Sequence, residues 1–101
     1  MELQVADNPD MQRFEIRADG EIVGFIDYRL RDGTMALLHT QTENRFRHEG
    51  VGGRLVQSSL DFARQRHLAV LPYCPFVQSW IADHPAYADL VPADQRANFY
   101  L

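Results

Sequence analysis

A chain of 101 residues holds one domain around one hydrophobic core, and its 46% apolar content is ordinary for a globular protein. A net charge of −4 argues against broad nucleic-acid or anionic-membrane binding, and no apolar run approaches membrane-spanning length. All ten basic residues are arginine, so no side-chain amine can form a Schiff base, and the one cysteine cannot close an intrachain disulfide, which fits a reducing, cytoplasmic setting.

Met1-Glu2-Leu3-Gln4-Val5 lacks the pattern of a secretory signal. Phe14, Ile16 and Ala18 alternate with Arg13, Glu15 and Arg17, the period of a half-buried strand. Asp19-Gly20 is a two-residue hairpin signal. The return strand spans residues 21–30, with Ile22, Ile26, Tyr28 and Leu30 on one face and Val23 and Phe25 on the other. Asp32-Gly33 marks a second hairpin. Residues 34–42 form a third antiparallel strand, whose apolar centre, Met35-Ala36-Leu37-Leu38, predicts a central position in the sheet.

The spacing then predicts a helix over 50–66. Val51, Leu55, Val56, Leu60, Phe62 and Ala63 share one side of it, and Arg54, Gln57, Asp61, Arg64 and Gln65 the other. Residues 68–71 form a short strand, parallel to the third one through a right-handed crossover. Pro75 suits the first position of a second helix that runs to about Asp83, and this places Cys74 at its N-cap. Phe76, Trp80 and Ile81 read as core beneath that helix, and Tyr28 and Tyr87 as core or rim. Residues 91–101 carry no clear pattern. The expected fold is α+β: a mixed, mostly antiparallel sheet with two main helices in the order β-β-β-α-β-α, one domain over residues 1–101.

The stretch Arg47-His48-Glu49-Gly50-Val51-Gly52-Gly53 is the strongest functional signal. Glycines let backbone N–H groups approach an anion, and the helix start aims its free N–H groups and positive dipole end at the same place. Arg47 adds a permanent cation. The same residues also suit a plain tight turn from strand to helix. The spacing is neither a Walker loop nor a dinucleotide fingerprint, but it matches R-x-x-G-x-G. His39-Thr40 lies upstream, and Pro72-Tyr73-Cys74-Pro75-Phe76-Val77 and His84-Pro85-Ala86-Tyr87-Ala88-Asp89-Leu90 lie downstream.

Together these motifs resemble the Gcn5-related N-acetyltransferases, and within them a small single-domain subgroup of the YjdJ type, over about residues 12–90. The resemblance implies acetyl-CoA or CoA as cofactor and an amine as acceptor. It implies that the third strand and the 68–71 strand splay apart to admit the pantetheine arm. Cofactor contacts then fall on Thr40, Gln41, Thr42, Arg47, His48, Glu49, Gly50, Val51, Gly52 and Gly53. His48 replaces a glycine common in the family, and Glu49 sets a carboxylate beside the pyrophosphate; both changes work against binding.

The resemblance makes Cys74 the suspected catalytic residue, as nucleophile or as proton donor to the leaving thiolate, and a helix N-terminus favours the thiolate. A small buried hydrophobe is the alternative. His39 is a general-base candidate, or else a histidine that closes the sheet end. His48, His67 and His84 have no metal-ligand spacing with Cys74 or with one another, so no metal is expected. Most family members carry helices between the first two strands. Here Asp19-Gly20 joins them directly, so the acceptor side should be open, which favours a macromolecular amine. A CoA- or acyl-CoA-binding module with little catalysis is the alternative function. Acceptor and oligomeric state are not specified by these residues.

Overall fold

The computed structural model describes residues 1–46 and 50–101. The chain order is β1 (Leu3–Asn8), β2 (Arg13–Ala18), β3 (Glu21–Arg31), β4 (Thr34–Thr42), α1 (Val51–Gln65), β5 (Ala69–Pro72) and α2 (Pro75–Asp83). Short 3-10 segments occupy Asn44–Phe46, Pro85–Leu90 and Ala93–Phe99. The sheet follows chain order, β1-β2-β3-β4-β5, with antiparallel pairs except for the parallel pair β4–β5. The fold is therefore α+β with a mostly antiparallel sheet, as the sequence predicts.

Two expectations need correction. The predicted order lacks β1, a half-exposed edge strand whose short run ends in Asp7 and Asn8 and so carries little apolar signal. The central strand is β3; β4 is interior, flanked by β3 and β5. Both Asp-Gly hairpins form as read. Asp19 and Gly20 (φ 50° and 88°) and Asp32 and Gly33 (φ 50° and 78°) take the left-handed pair of conformations that a type I′ turn requires.

Two bulges change which side chains face which way. Ile16 pairs with Gly24 but Arg17 with Ile22, so Val23 is the extra residue in β3. This sets Ile22, expected beside Ile26 and Tyr28, opposite Arg17, and leaves it exposed. Leu30, expected on the same face, is exposed near the second turn. In β4, Leu37 pairs with Tyr28 and His39 with Asp27, so Leu38 is the extra residue.

The core lies between the sheet and the two helices. Val51, Leu55, Val56, Leu60 and Ala63 of α1 are fully buried against Phe14, Ile16, Ile26, Met35 and Leu37. Val77 and Ile81 of α2 complete it, and the 3-10 tail adds Val91 and Phe99. The buried Tyr28 hydroxyl donates to Asp7 (2.6 Å) and ties the edge strand to β3. Burial, with the Asp7 carboxylate second, holds that phenol well above its ordinary pKa.

On the opposite sheet face, Glu15 is shielded by side chains rather than by a helix. Arg13 (2.8 Å) and Asn8 (3.1 Å) donate to one carboxylate oxygen, and Arg17 lies 3.9 Å from the other. Burial opposes its charge, but the bonds from Arg13 and Asn8 and the charges of Arg13 and Arg17 outweigh it and lower its pKa. A carboxyl with a depressed folded-state pKa stabilises the fold above the unfolded value of about 4.3 and loses that contribution as pH falls through the folded value. Urea midpoints measured from neutral to strongly acidic pH should therefore fall less steeply in Glu15→Gln than in the parent. Parallel curves would show that Glu15 carries no linked stability.

Candidate functional site

The site begins where two strands part. The β4–β5 ladder runs from Thr34 and Ala69 to Leu37 and Pro72, then ends, while β4 continues to Thr42. The Cys74 N–H donates to the Leu37 carbonyl (3.0 Å) and closes the divergence. Beyond it lies a cleft of about 610 Å³. Thr40, Gln41 and Thr42 form one wall and Gly50, Gly52 and Gly53 the facing one; Asn44 and Phe76 complete it.

The facing wall is the start of α1. Gly50 is the N-cap, with φ 75° and no side chain to cap the helix. The first intrahelical bond runs from Arg54 N–H to the Gly50 carbonyl (3.1 Å). The N–H groups of Val51, Gly52 and Gly53 precede it and need acceptors from outside the helix. They form a cradle with positive potential, suited to a phosphate oxygen. The end of β4, paired with β3 but free on its β5 side, can back an extended polar chain. The donor set therefore fits a pyrophosphate joined to a pantetheine arm. The Val51 side chain is fully buried beneath the cradle. Arg47, His48 and Glu49 lie outside the described residues.

A Cβ on Gly52 would stand 2.8 Å from Cζ of Phe76, and one on Gly53 would stand 3.3 Å from Nε1 of Trp80. These aromatics were expected in the core. Only Ile81 is fully buried there; Phe76 is exposed at the cleft and Trp80 is half-buried, stacked on His84 at 3.8 Å. The glycines give α1 the room to lie against aromatic rings of α2, a pairing that the sequence spacing alone does not reveal.

Cys74 is the N-cap of α2, as expected, and is 4% exposed. Its Sγ lies 3.3 Å from Thr40 Oγ1, and either atom can donate. His39 is exposed on the opposite face, in register with Asp27 and 6.2 Å from the Phe25 ring. The structure thus joins Cys74 to Thr40 and places His39 across the sheet from both. The bulge at Leu38 is the cause, and no compositional signal announces it. Tyr28 and Tyr87 are engaged elsewhere, Tyr87 through a bond to Asp61 (2.9 Å) that raises its phenol pKa. Among the described residues, no three His, Cys, Asp or Glu side chains gather as a metal would need.

The outer face around His39 is shallow. The turns at residues 9–12 and at Asp19-Gly20 join β1, β2 and β3 without a helix. A depression of about 210 Å³ lies there, between Arg13, Ile22, Phe25, Gln41 and Glu43.

Residues 13–90 match the family model of the GCN5-related N-acetyl-transferases. The fold is similar to that of a GCN5-like protein from Staphylococcus aureus, with a TM-score of 0.69 at 22% identity over 89% of this chain and 88% of that one. Ard1 from Thermoplasma volcanium is 27% identical over 60% of this chain, with a TM-score of 0.55, and only 43% of its own length is covered. The ribosomal-protein-alanine N-acetyltransferase of Brucella melitensis biovar Abortus 2308 gives a TM-score of 0.56 at 20% identity, over 80% of this chain and 62% of that one. No curated protein matches by sequence.

The contact between Gly52 and Phe76 can be tested directly. Phe76 is exposed, so its ring can swing aside, and Gly52→Ala should fold at a cost of about 1 kcal/mol. In a double-mutant cycle by urea unfolding, Phe76→Ala should remove most of that cost. Additive effects would show that ring and glycine are not in contact.

Proposed function

Since the chain belongs to the GCN5-related N-acetyltransferase family, we propose that it transfers acetyl from acetyl-CoA to an amine, with the cleft at the β4–β5 divergence as its coenzyme site. The observation that carries this reading is the cleft itself: a glycine-rich helix start with no side-chain cap from Gly50, facing the end of a strand whose β5 side is unpaired. Within the family, the Cys74 segment supports the small single-domain YjdJ-type subgroup, with residues 1–101 read as one domain.

In this reading the N–H groups of Val51, Gly52 and Gly53 bind the pyrophosphate, and Arg47, His48 and Glu49 of the same sequence motif are assigned to it as well. Residues 40–42 of β4 hold the pantetheine arm through their backbone. The coenzyme, when bound, supplies an activated acetyl thioester. The acceptor approaches from the open outer face, where His39 takes the proton that its nitrogen loses as the new C–N bond forms. Cys74, on the helix side, gives a proton to the departing sulfur as the C–S bond breaks. Alternatively its thiolate attacks the acetyl carbon, the bond from that carbon to the coenzyme sulfur breaks with CoA leaving as thiolate, and the Cys74 thioester then passes its acetyl to the amine, restoring the cysteine sulfur.

The shallow outer face suits an amine presented by a macromolecule. The named acceptor of the Brucella protein, alanine of a ribosomal protein, accords with a protein amine. The single free cysteine supports a cytoplasmic setting in this reading. No helix among the described residues is long and apolar enough to cross a membrane.

Titration with CoA and acetyl-CoA tests the site, and intact mass after mixing with acetyl-CoA tests the chemistry. With no lysine in the chain, a hydroxylamine-labile adduct that is lost in Cys74→Ala would establish the covalent route. Normal turnover in Cys74→Ala would return the cysteine to a packing role. CoA binding without transfer to any tested amine or protein would favour a binding module, and no binding at all would sink the assignment.

A further inference from the structure

We propose that Thr40 is the positioning residue for Cys74: its hydroxyl donates to Sγ and holds the sulfur directly behind the cleft wall that Thr40 lines. The catalytic meaning of this bond rests on the function proposed above, but the bond itself does not.

The argument starts from strand parity. Leu37 faces the core, and simple alternation would turn His39 to the same side and Thr40 away. The extra residue at Leu38 reverses this. His39 then pairs with Asp27, and Thr40 pairs with the fully buried Ile26. The bulge therefore exchanges a titratable ring for a neutral hydroxyl opposite the cysteine. Thr40 also lines the 610 Å³ cleft, so it links that space to the sulfur of the buried Cys74.

A hydroxyl is the stronger donor of the pair, and a thiolate can only accept. No other bond is formed by either Thr40 Oγ1 or Cys74 Sγ among the described residues. Among the described residues, no charged side chain bonds to the pair. On β4, His39 is on the far face; β5 (Ala69–Pro72) contains no titratable residue. The one acid of α2, Asp83, is at its other end, and the first charged residue of α1, Arg54, is exposed. The neighbouring Tyr73 turns its ring onto Phe99 at 5.3 Å. Among the described residues, Thr40 is thus the one side chain that hydrogen-bonds to the sulfur.

The test is the pH profile of Cys74 in the full chain without coenzyme. Iodoacetamide alkylation reads it, and thiolate ultraviolet absorbance reads it independently of access. The chain has one cysteine, so both signals are unambiguous. Thr40→Val keeps the shape and removes the donor. It should move the midpoint to higher pH by about one unit and slow alkylation near neutrality by about tenfold. Thr40→Ser should restore the parental profile, which a purely steric role would not require. If Thr40→Val does not fold, Thr40→Ala takes its place, with Thr40→Ser still as the rescue. Coincident midpoints in the parent and the folded hydroxyl-free variant would overturn the proposal. So would a profile moved by His39→Gln and left unmoved by loss of the Thr40 hydroxyl. A failed CoA titration leaves these profiles as they are, so the two readings fail separately.

Discussion

The single bond from Cys74 N–H to the Leu37 carbonyl sets the terms for the rest of the site. Below it, β4 and β5 are partners in an ordinary parallel ladder and the core is continuous. Above it, β4 runs on with β3 as its one partner, its β5 side unpaired. A parallel pair needs a crossover, and here α1 supplies it. The start of that helix comes to lie across from the free end of β4, so one topological requirement brings a polar strand edge and a positively polarised helix end to face each other. The N-cap of α2 is drawn into the same corner, because the residue that makes the closing bond is also the residue that begins the helix.

Much of this was legible in the sequence where backbone geometry demands particular residues. The two Asp-Gly turns form because few other pairs accept two successive left-handed conformations. The buried stripe of α1 follows its 3.6-residue period, and Pro75 marks the start of α2 because proline loses nothing at a position without an intrahelical N–H bond. Features that depend on pairing were not legible. A bulge is a mismatch between two strands, so neither Val23 nor Leu38 shows it alone, yet each reverses the facing of its neighbours: Ile22 in one strand, His39 and Thr40 in the other. The edge strand β1 was missed because a half-exposed edge needs few apolar residues. The tail was unreadable because Val91, between two 3-10 segments, and Phe99, in the second of them, are buried without helical or strand periodicity.

The glycine-rich start of α1 shows how one residue type serves two physical ends. Gly50 is required by its backbone, at φ 75°. Gly52 and Gly53 have ordinary helical backbones, and their neighbours are rings of α2. A motif that reads as a single cradle is therefore part conformational and part steric, and the aromatic residues that complete it lie more than twenty positions downstream.

The sheet order equals the chain order, and this bears on how the molecule assembles. The four antiparallel strands can zip together through successive short turns, each contact local in sequence. The segment between β4 and β5 is the one long excursion, and closing it carries the larger entropic cost. The cleft draws its walls from both ends of that excursion, so it cannot exist in a partly folded meander. The site belongs to the last contacts made in folding and, by the same token, to the first that local opening would release.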